Sequence, residues 1–143
     1  MIELKNIEKS FGKYQVLKNI SLNIEPGKIT AIVGPNGSGK TTIIKSILGL
    51  VQPDKGEILF NNKSVIKEYL YRKDIGYMPQ AASFPDNLTV NEVFNMISDI
   101  RMQQMNGNAE LINILNLQPE LNKKIRTLSG GNKQKVSACI ALM

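Results

Sequence analysis

Hydrophobic and polar positions change their period part-way along the chain. Ile2-Glu3-Leu4-Lys5-Asn6-Ile7 and Ile20-Ser21-Leu22-Asn23-Ile24 alternate, which predicts two half-buried strands. Glu25-Pro26-Gly27 is a turn that leads into Ile29-Thr30-Ala31-Ile32-Val33, a short run rich in β-branched residues that reads as a buried strand. Thr42-Ile43-Ile44-Lys45-Ser46-Ile47-Leu48 then reads as a helix closed by Gly49. The turn Pro53-Asp54-Lys55-Gly56 precedes a strand at Glu57-Ile58-Leu59-Phe60 and the polar pair Asn61-Asn62. Ile75-Gly76-Tyr77-Met78 predicts a short strand ending at Pro79-Gln80.

Beyond Gln80 the period is helical. Thr89-Val90-Asn91-Glu92 is a capping box, and Val90, Val93, Phe94, Ile97 and Ile100 line one face of the helix it starts. Asn106-Gly107 stops that helix; Leu111, Ile112 and Leu115 mark a second, and a third starts near Gly130. The front of the chain is strand-rich and the back helical, with no internal repeat, low-complexity stretch or flexible linker.

Composition narrows the chemistry. The 143 residues contain no histidine, which removes Ser-His and Cys-His nucleophilic schemes and most zinc sites. The single Cys139 makes no internal disulfide, as in a reducing cytoplasm, and reads as a small core residue on a helix. No apolar run approaches a membrane span, and the N-terminus has no signal-peptide core. The net charge of +6 raises a nucleic-acid partner, yet the one dense cluster is Lys123, Lys124, Arg126, Lys133 and Lys135. A solvated face beside an anion site explains that cluster at least as well, and no nucleic acid is expected.

The chemistry lies in two glycine-rich motifs. Gly34-Pro35-Asn36-Gly37-Ser38-Gly39-Lys40-Thr41 matches the phosphate-binding pattern G-x-x-x-x-G-K-[ST], between a predicted strand and a predicted helix. Its glycines let successive N–H groups turn toward phosphate oxygens, and the helix start adds free N–H groups and the positive end of its dipole. Lys40 suits the β- and γ-phosphates, and the Thr41 hydroxyl suits a Mg²⁺ ion. The candidate nucleotide-binding residues are thus Gly34, Pro35, Asn36, Gly37, Ser38, Gly39, Lys40, Thr41 and Thr42, with Thr41 also a metal candidate. Downstream, Ser129-Gly130-Gly131 places a hydroxyl and two glycines at a helix start, a second anion-binding nest.

Leu128-Ser129-Gly130-Gly131-Asn132-Lys133-Gln134-Lys135 resembles the signature of ABC-type ATPases, L-S-G-G-Q-x-Q-[RK], departing from it at Asn132. The resemblance covers the whole chain. It implies an α/β fold of the P-loop NTPase class: a mainly parallel core sheet, a small antiparallel β-subdomain and a following α-helical subdomain. Residues 1–80 would form the nucleotide-binding core with the β-subdomain, and residues 81–143 the helical subdomain with an incomplete signature helix. Phe11 looks like the aromatic that stacks on adenine, with Tyr14 as its competitor. Gln80 looks like the Q-loop glutamine, which in the family contacts Mg²⁺ and the attacking water, and Lys40 and Gln80 are the catalytic candidates.

The resemblance further implies an ATP hydrolase that couples ATP binding to transport through membrane-spanning subunits, on the inner face of the cell membrane. Two such domains would pair head to tail, Ser129 and Gly131 of one meeting the γ-phosphate held by Lys40 of the other. A soluble ABC-family ATPase acting on the ribosome is the alternative. The run Ile75 to Val93 also looks like the ATPase of nitrous-oxide-reductase copper-site maturation transporters. The family's apolar strand ending in Asp-Glu, which carries the general base, and its later histidine have no counterpart here. Met143 ends the chain in mid-helix, so the sequence reads as the N-terminal part of a longer protein that here binds ATP without turning it over.

Overall fold

The structure, a computed structural model, describes residues 1–101 and 108–143. It forms two compact units, Met1–Arg72 and Lys73–Met143. The expected helix stop at Asn106-Gly107 lies outside the described residues.

The first unit is built on strands β1 (Ile2–Phe11), β2 (Tyr14–Ile24), β3 (Lys55–Phe60) and β4 (Lys63–Ser64), in the antiparallel order β2-β1-β3-β4. Two-residue turns set the hairpin registers. Gly12 takes φ 59° between the paired Phe11 and Tyr14, while Asn61 and Asn62, at φ 48° and 63°, form the doubly left-handed turn between β3 and β4. Leu4, Ile7, Leu17 and Ile58 point inward and are at most 1% exposed. Leu4 and Ile7 are three apart, and a register shift at left-handed Asn6, φ 51°, brings both to the inner face. All four pack with Ile43 and Ile47 of helix α1 (Lys40–Ile47) and with Val65. Each such side chain removed from water contributes roughly 1.5–3 kcal/mol.

In the second unit the helices α2 (Val90–Arg101), α3 (Asn108–Ile114) and α4 (Gly130–Leu142) share a core of Val90, Val93, Phe94, Ile112, Leu117, Ile125, Leu128, Val136 and Cys139. The capping box forms in full. The Thr89 N–H donates to the Glu92 carboxylate at 2.7 Å, and the Glu92 N–H donates to Thr89 Oγ1 at 3.2 Å. Cys139 is buried on α4, as its position predicts, and burial pushes its thiol pKa up.

Three expectations are corrected. Residues 29–33 form no strand: Ile29 and Val33 are 102% and 87% exposed, and within this run only Ile32 packs on the core. Residues 75–78 are likewise without strand pairing. The reason is common to both, because a strand exists through its ladder and a parallel partner has to be delivered by a crossover. Among the described residues every strand pairing is antiparallel. Finally, Ile100 is 70% exposed near the end of α2, and Ser98 is buried on that helix instead.

Candidate functional site

The loop of residues 34–39 and the start of α1 are held from behind by β2. Gly39 is the residue before α1 and is left-handed, at φ 90° and ψ 3°. A Cβ there would stand 2.8 Å from Leu17 Cδ2 and 3.1 Å from the Val16 carbonyl oxygen, so conformation and space both select glycine. The Gly39 carbonyl accepts the first bond of the helix from the Ile43 N–H at 2.9 Å, and within the loop Ser38 N–H reaches the Pro35 carbonyl at 3.3 Å. No side chain caps the start of α1, and its first turn carries no acidic residue. Its leading N–H groups and the positive end of its dipole are therefore left for an anion.

Lys40 curls over this loop. Its Nζ donates to the carbonyl oxygens of Gly34 at 2.8 Å and Pro35 at 2.7 Å. The ammonium is thus held at the loop by neutral acceptors that a phosphate oxygen outcompetes, since a charge-assisted pair is about twice as strong. Pro35, Asn36, Gly37, Ser38 and Thr41 are exposed and Thr42 is half-buried. These observations fit a nucleotide's phosphate chain: open N–H groups, a cation within reach and a hydroxyl at the second helical position.

The far end of α1 is clamped by residues the sequence did not single out. Gly49, at φ 65°, donates to the Ser46 carbonyl at 3.0 Å while Leu50 N–H reaches the Lys45 carbonyl at 2.8 Å, the paired bonds of a glycine helix stop. Tyr71 Oη donates to the Ile47 carbonyl at 2.9 Å and Arg72 Nη2 to the Gly49 carbonyl at 3.1 Å. Both come from the irregular stretch around the 3₁₀ turn Leu70–Asp74, where no periodicity or motif marks them.

Phe11 and Tyr14 face each other across the β1–β2 turn and are 51% and 81% exposed. Directly opposed residues share one face of a hairpin, so the two candidate aromatics occupy neighbouring positions. Lys9 Nζ lies 5.5 Å from the Phe11 ring centre and also pairs with Asp54 at 2.7 Å. The Lys9 hydrogen bond, with a second from the Ser10 N–H, holds the Asp54 carboxyl below its ordinary range.

Gln80, Ser129, Gly130 and Gly131 belong to the second unit and are exposed. Ser129 is the N-cap of α4, its Oγ accepting the Asn132 N–H at 3.2 Å. Apart from its chain neighbours and its own helix backbone, nothing among the described residues stands within 4 Å of a Cβ built on Gly130 or Gly131, so the helix start presents open backbone. The basic cluster beside it is partly neutralised: Lys123 pairs with Glu120 at 2.8 Å and Lys133 lies 4.0 Å from Asp86.

Residues 17–143 match the ABC transporter family. The chain is 31% identical to the xylose/arabinose import ATP-binding protein XylG of Sulfolobus acidocaldarius, covering 99% of this chain and 61% of that protein. It is 36% identical to the zinc import ATP-binding protein ZnuC of Buchnera aphidicola, covering 99% of this chain and 56% of that one. The structure superposes on a bacterial ABC transporter cassette solved as a dimer, with a TM-score of 0.87 at 30% identity, over 99% of this chain and 69% of the cassette. The chain therefore spans about three-fifths of the length of these two curated relatives. In fold and in sequence it belongs to the ABC transporter family of ATP-binding domains.

Proposed function

We propose that this chain binds ATP through residues 34–42, as part of a protein that powers transport through membrane-spanning partner subunits. The observation that carries the proposal is the loop itself: a glycine fixed against β2, an uncapped helix start and a lysine held over the loop by carbonyls. Thr41 would hold Mg²⁺, and a bound Mg²⁺ supplies neutralisation of charge on the phosphate oxygens. Phe11 offers its exposed face to the adenine ring.

Ser129, Gly130 and Gly131 would serve a second copy of the domain, receiving the γ-phosphate held by that copy's Lys40. The open start of α4 supports this reading, as does the dimeric state named for the similar cassette. Attachment to the inner face of the membrane would come from partners, because no helix among the described residues is long and apolar enough to cross one. The relatives described above are named as import proteins, and the ribosome-acting alternative finds no support among them.

The 143-residue chain should hold Mg-ATP without turning it over. Two of its carboxylates are committed or displaced: Asp54 is bound by Lys9 and Ser10, and Asp74 closes an exposed 3₁₀ turn. Loss of a group that positions water or stabilises the γ-phosphate costs roughly 10³–10⁵ in rate. Steady-state phosphate release, with Lys40→Ala as the contamination control, tests this. Turnover near ~1 s⁻¹ that vanishes in the control would place the base within these residues.

A further inference from the structure

The Phe11 ring, half-exposed at the end of β1, is backed by a cation that is itself held. Lys9 Nζ lies over the ring, 5.5 Å from its centre, within the ~6 Å reach of a cation–π contact. The same ammonium donates to Asp54 Oδ1 at 2.7 Å, and only 17% of the Lys9 side chain is exposed. Asp54 is fixed in turn by β1. Its N–H donates to the Glu8 carbonyl at 2.8 Å, and its Oδ2 accepts the Ser10 N–H at 2.7 Å. The turn before β3 and the end of β1 thus carry one network, Asp54 to Lys9 to Phe11, all within the first unit.

A cation over one face of the ring leaves the other face for a base. An exposed aromatic that turns freely must be immobilised when a base stacks on it, and that ordering is charged against the affinity. A ring already pinned by its neighbours escapes the charge. We infer that Lys9, held by Asp54, is a positioning residue for the adenine base: it fixes the Phe11 ring before the nucleotide arrives and reserves the opposite face for stacking. This rests on the reading of Phe11 as the stacking aromatic. It adds two residues to that site, and neither of them touches the nucleotide.

Competition of Mg-ATP and of Mg-tripolyphosphate against a bound fluorescent ATP analogue is the test, run on the wild-type chain and its variants. Tripolyphosphate has no base, so the ratio of the two affinities reads contacts to the nucleoside and cancels any effect on stability or on the phosphate loop. Phe11→Ala should lower the ratio most. Lys9→Gln should lower it about threefold, the worth of one pre-ordered side chain. Lys9→Arg, which keeps a cation over the ring, should restore it. Asp54→Asn should also lower the ratio, whereas loss of a negative charge would by electrostatics alone strengthen both ligands. An unchanged ratio in Lys9→Gln beside a lowered one in Phe11→Ala would overturn the role of Lys9 and leave Phe11 as the stacking ring. Equal weakening of both ligands in Lys9→Gln would make Lys9 a phosphate contact and overturn the proposal as well. An unchanged ratio in Phe11→Ala would overturn both readings.

Discussion

The backbone of Gly39 lies so close to Leu17 that a Cβ would stand 2.8 Å from the Leu17 Cδ2 atom. This contact ties the phosphate loop to the hairpin that carries Phe11, and it separates two glycines of one motif. Gly37 shares the left-handed backbone, at φ 82°, but has nothing within 4 Å of a built Cβ. Gly37→Ala should therefore cost only the backbone strain, on the order of 1–2 kcal/mol. Gly39→Ala adds a clash with Leu17 and Val16 and should lose more, with a visibly lower urea midpoint. Equal midpoints for the two variants would mean that β2 does not hold the loop.

Phe11→Ala should weaken adenine nucleotides by roughly 1–3 kcal/mol, the range for aromatic–base stacking. GTP should bind nearly as well as ATP, since a stacked ring reads a π-face. Tyr14 faces Phe11 across the turn and supplies the control. A larger loss in Tyr14→Ala would transfer the role to that ring.

Glu92 carries a pH dependence of known sign. Hydrogen bonds from the Thr89 backbone N–H and then the Thr89 hydroxyl hold its carboxyl below the ordinary value of 4.5. The unfolded chain thus binds this proton at higher pH than the folded one. The contribution is complete above the ordinary value and is lost as pH falls through the lowered folded value. Asp54, lowered by Lys9, acts in the same direction from 3.8. Denaturant midpoints followed downward from pH 5 should fall, and Glu92→Gln should flatten that slope. An unchanged slope in both Glu92→Gln and Asp54→Asn would refute the assignment.

Tyr71→Phe removes the bond to the Ile47 carbonyl while leaving the ring against Phe60, whose centre is 5.7 Å away. The expected loss is about 1 kcal/mol, one net hydrogen bond. Thermal unfolding measures it, and an unchanged Tm would mean that water replaces the hydroxyl at no cost.

Elements with a local cause could be read from the chain. The capping box at Thr89 and Glu92, the glycine stop at Gly49 and the Ser129 cap each follow from residues within a turn of one another. Leu4 and Val93 were legible because alternation and helical spacing put them on inward faces, whereas Ile7 is inward only through the register shift at Asn6. Residues 29–33 and 75–78 were misread because a short run of strand-favouring residues states a preference, whereas a strand needs a neighbour that composition does not reveal. The clamp by Tyr71 and Arg72 left no trace, since it is a contact between distant segments. The resemblance of Ile75 to Val93 to a copper-site maturation ATPase concerns cargo, which a motor domain shared by many transporters does not itself specify.

Binding of a fluorescent ATP analogue to the wild-type chain and to Lys40→Ala tests the central claim most directly. Lys40 Nζ donates to carbonyls of its own loop, so its removal should leave circular dichroism and Tm close to wild type. Its charge-assisted contacts to phosphate are each worth roughly 1.5–3 kcal/mol. The account predicts saturable Mg²⁺-dependent binding to the wild-type chain and none detectable to the folded variant. Equal affinity of the two would contradict the assignment of residues 34–41 as the phosphate loop.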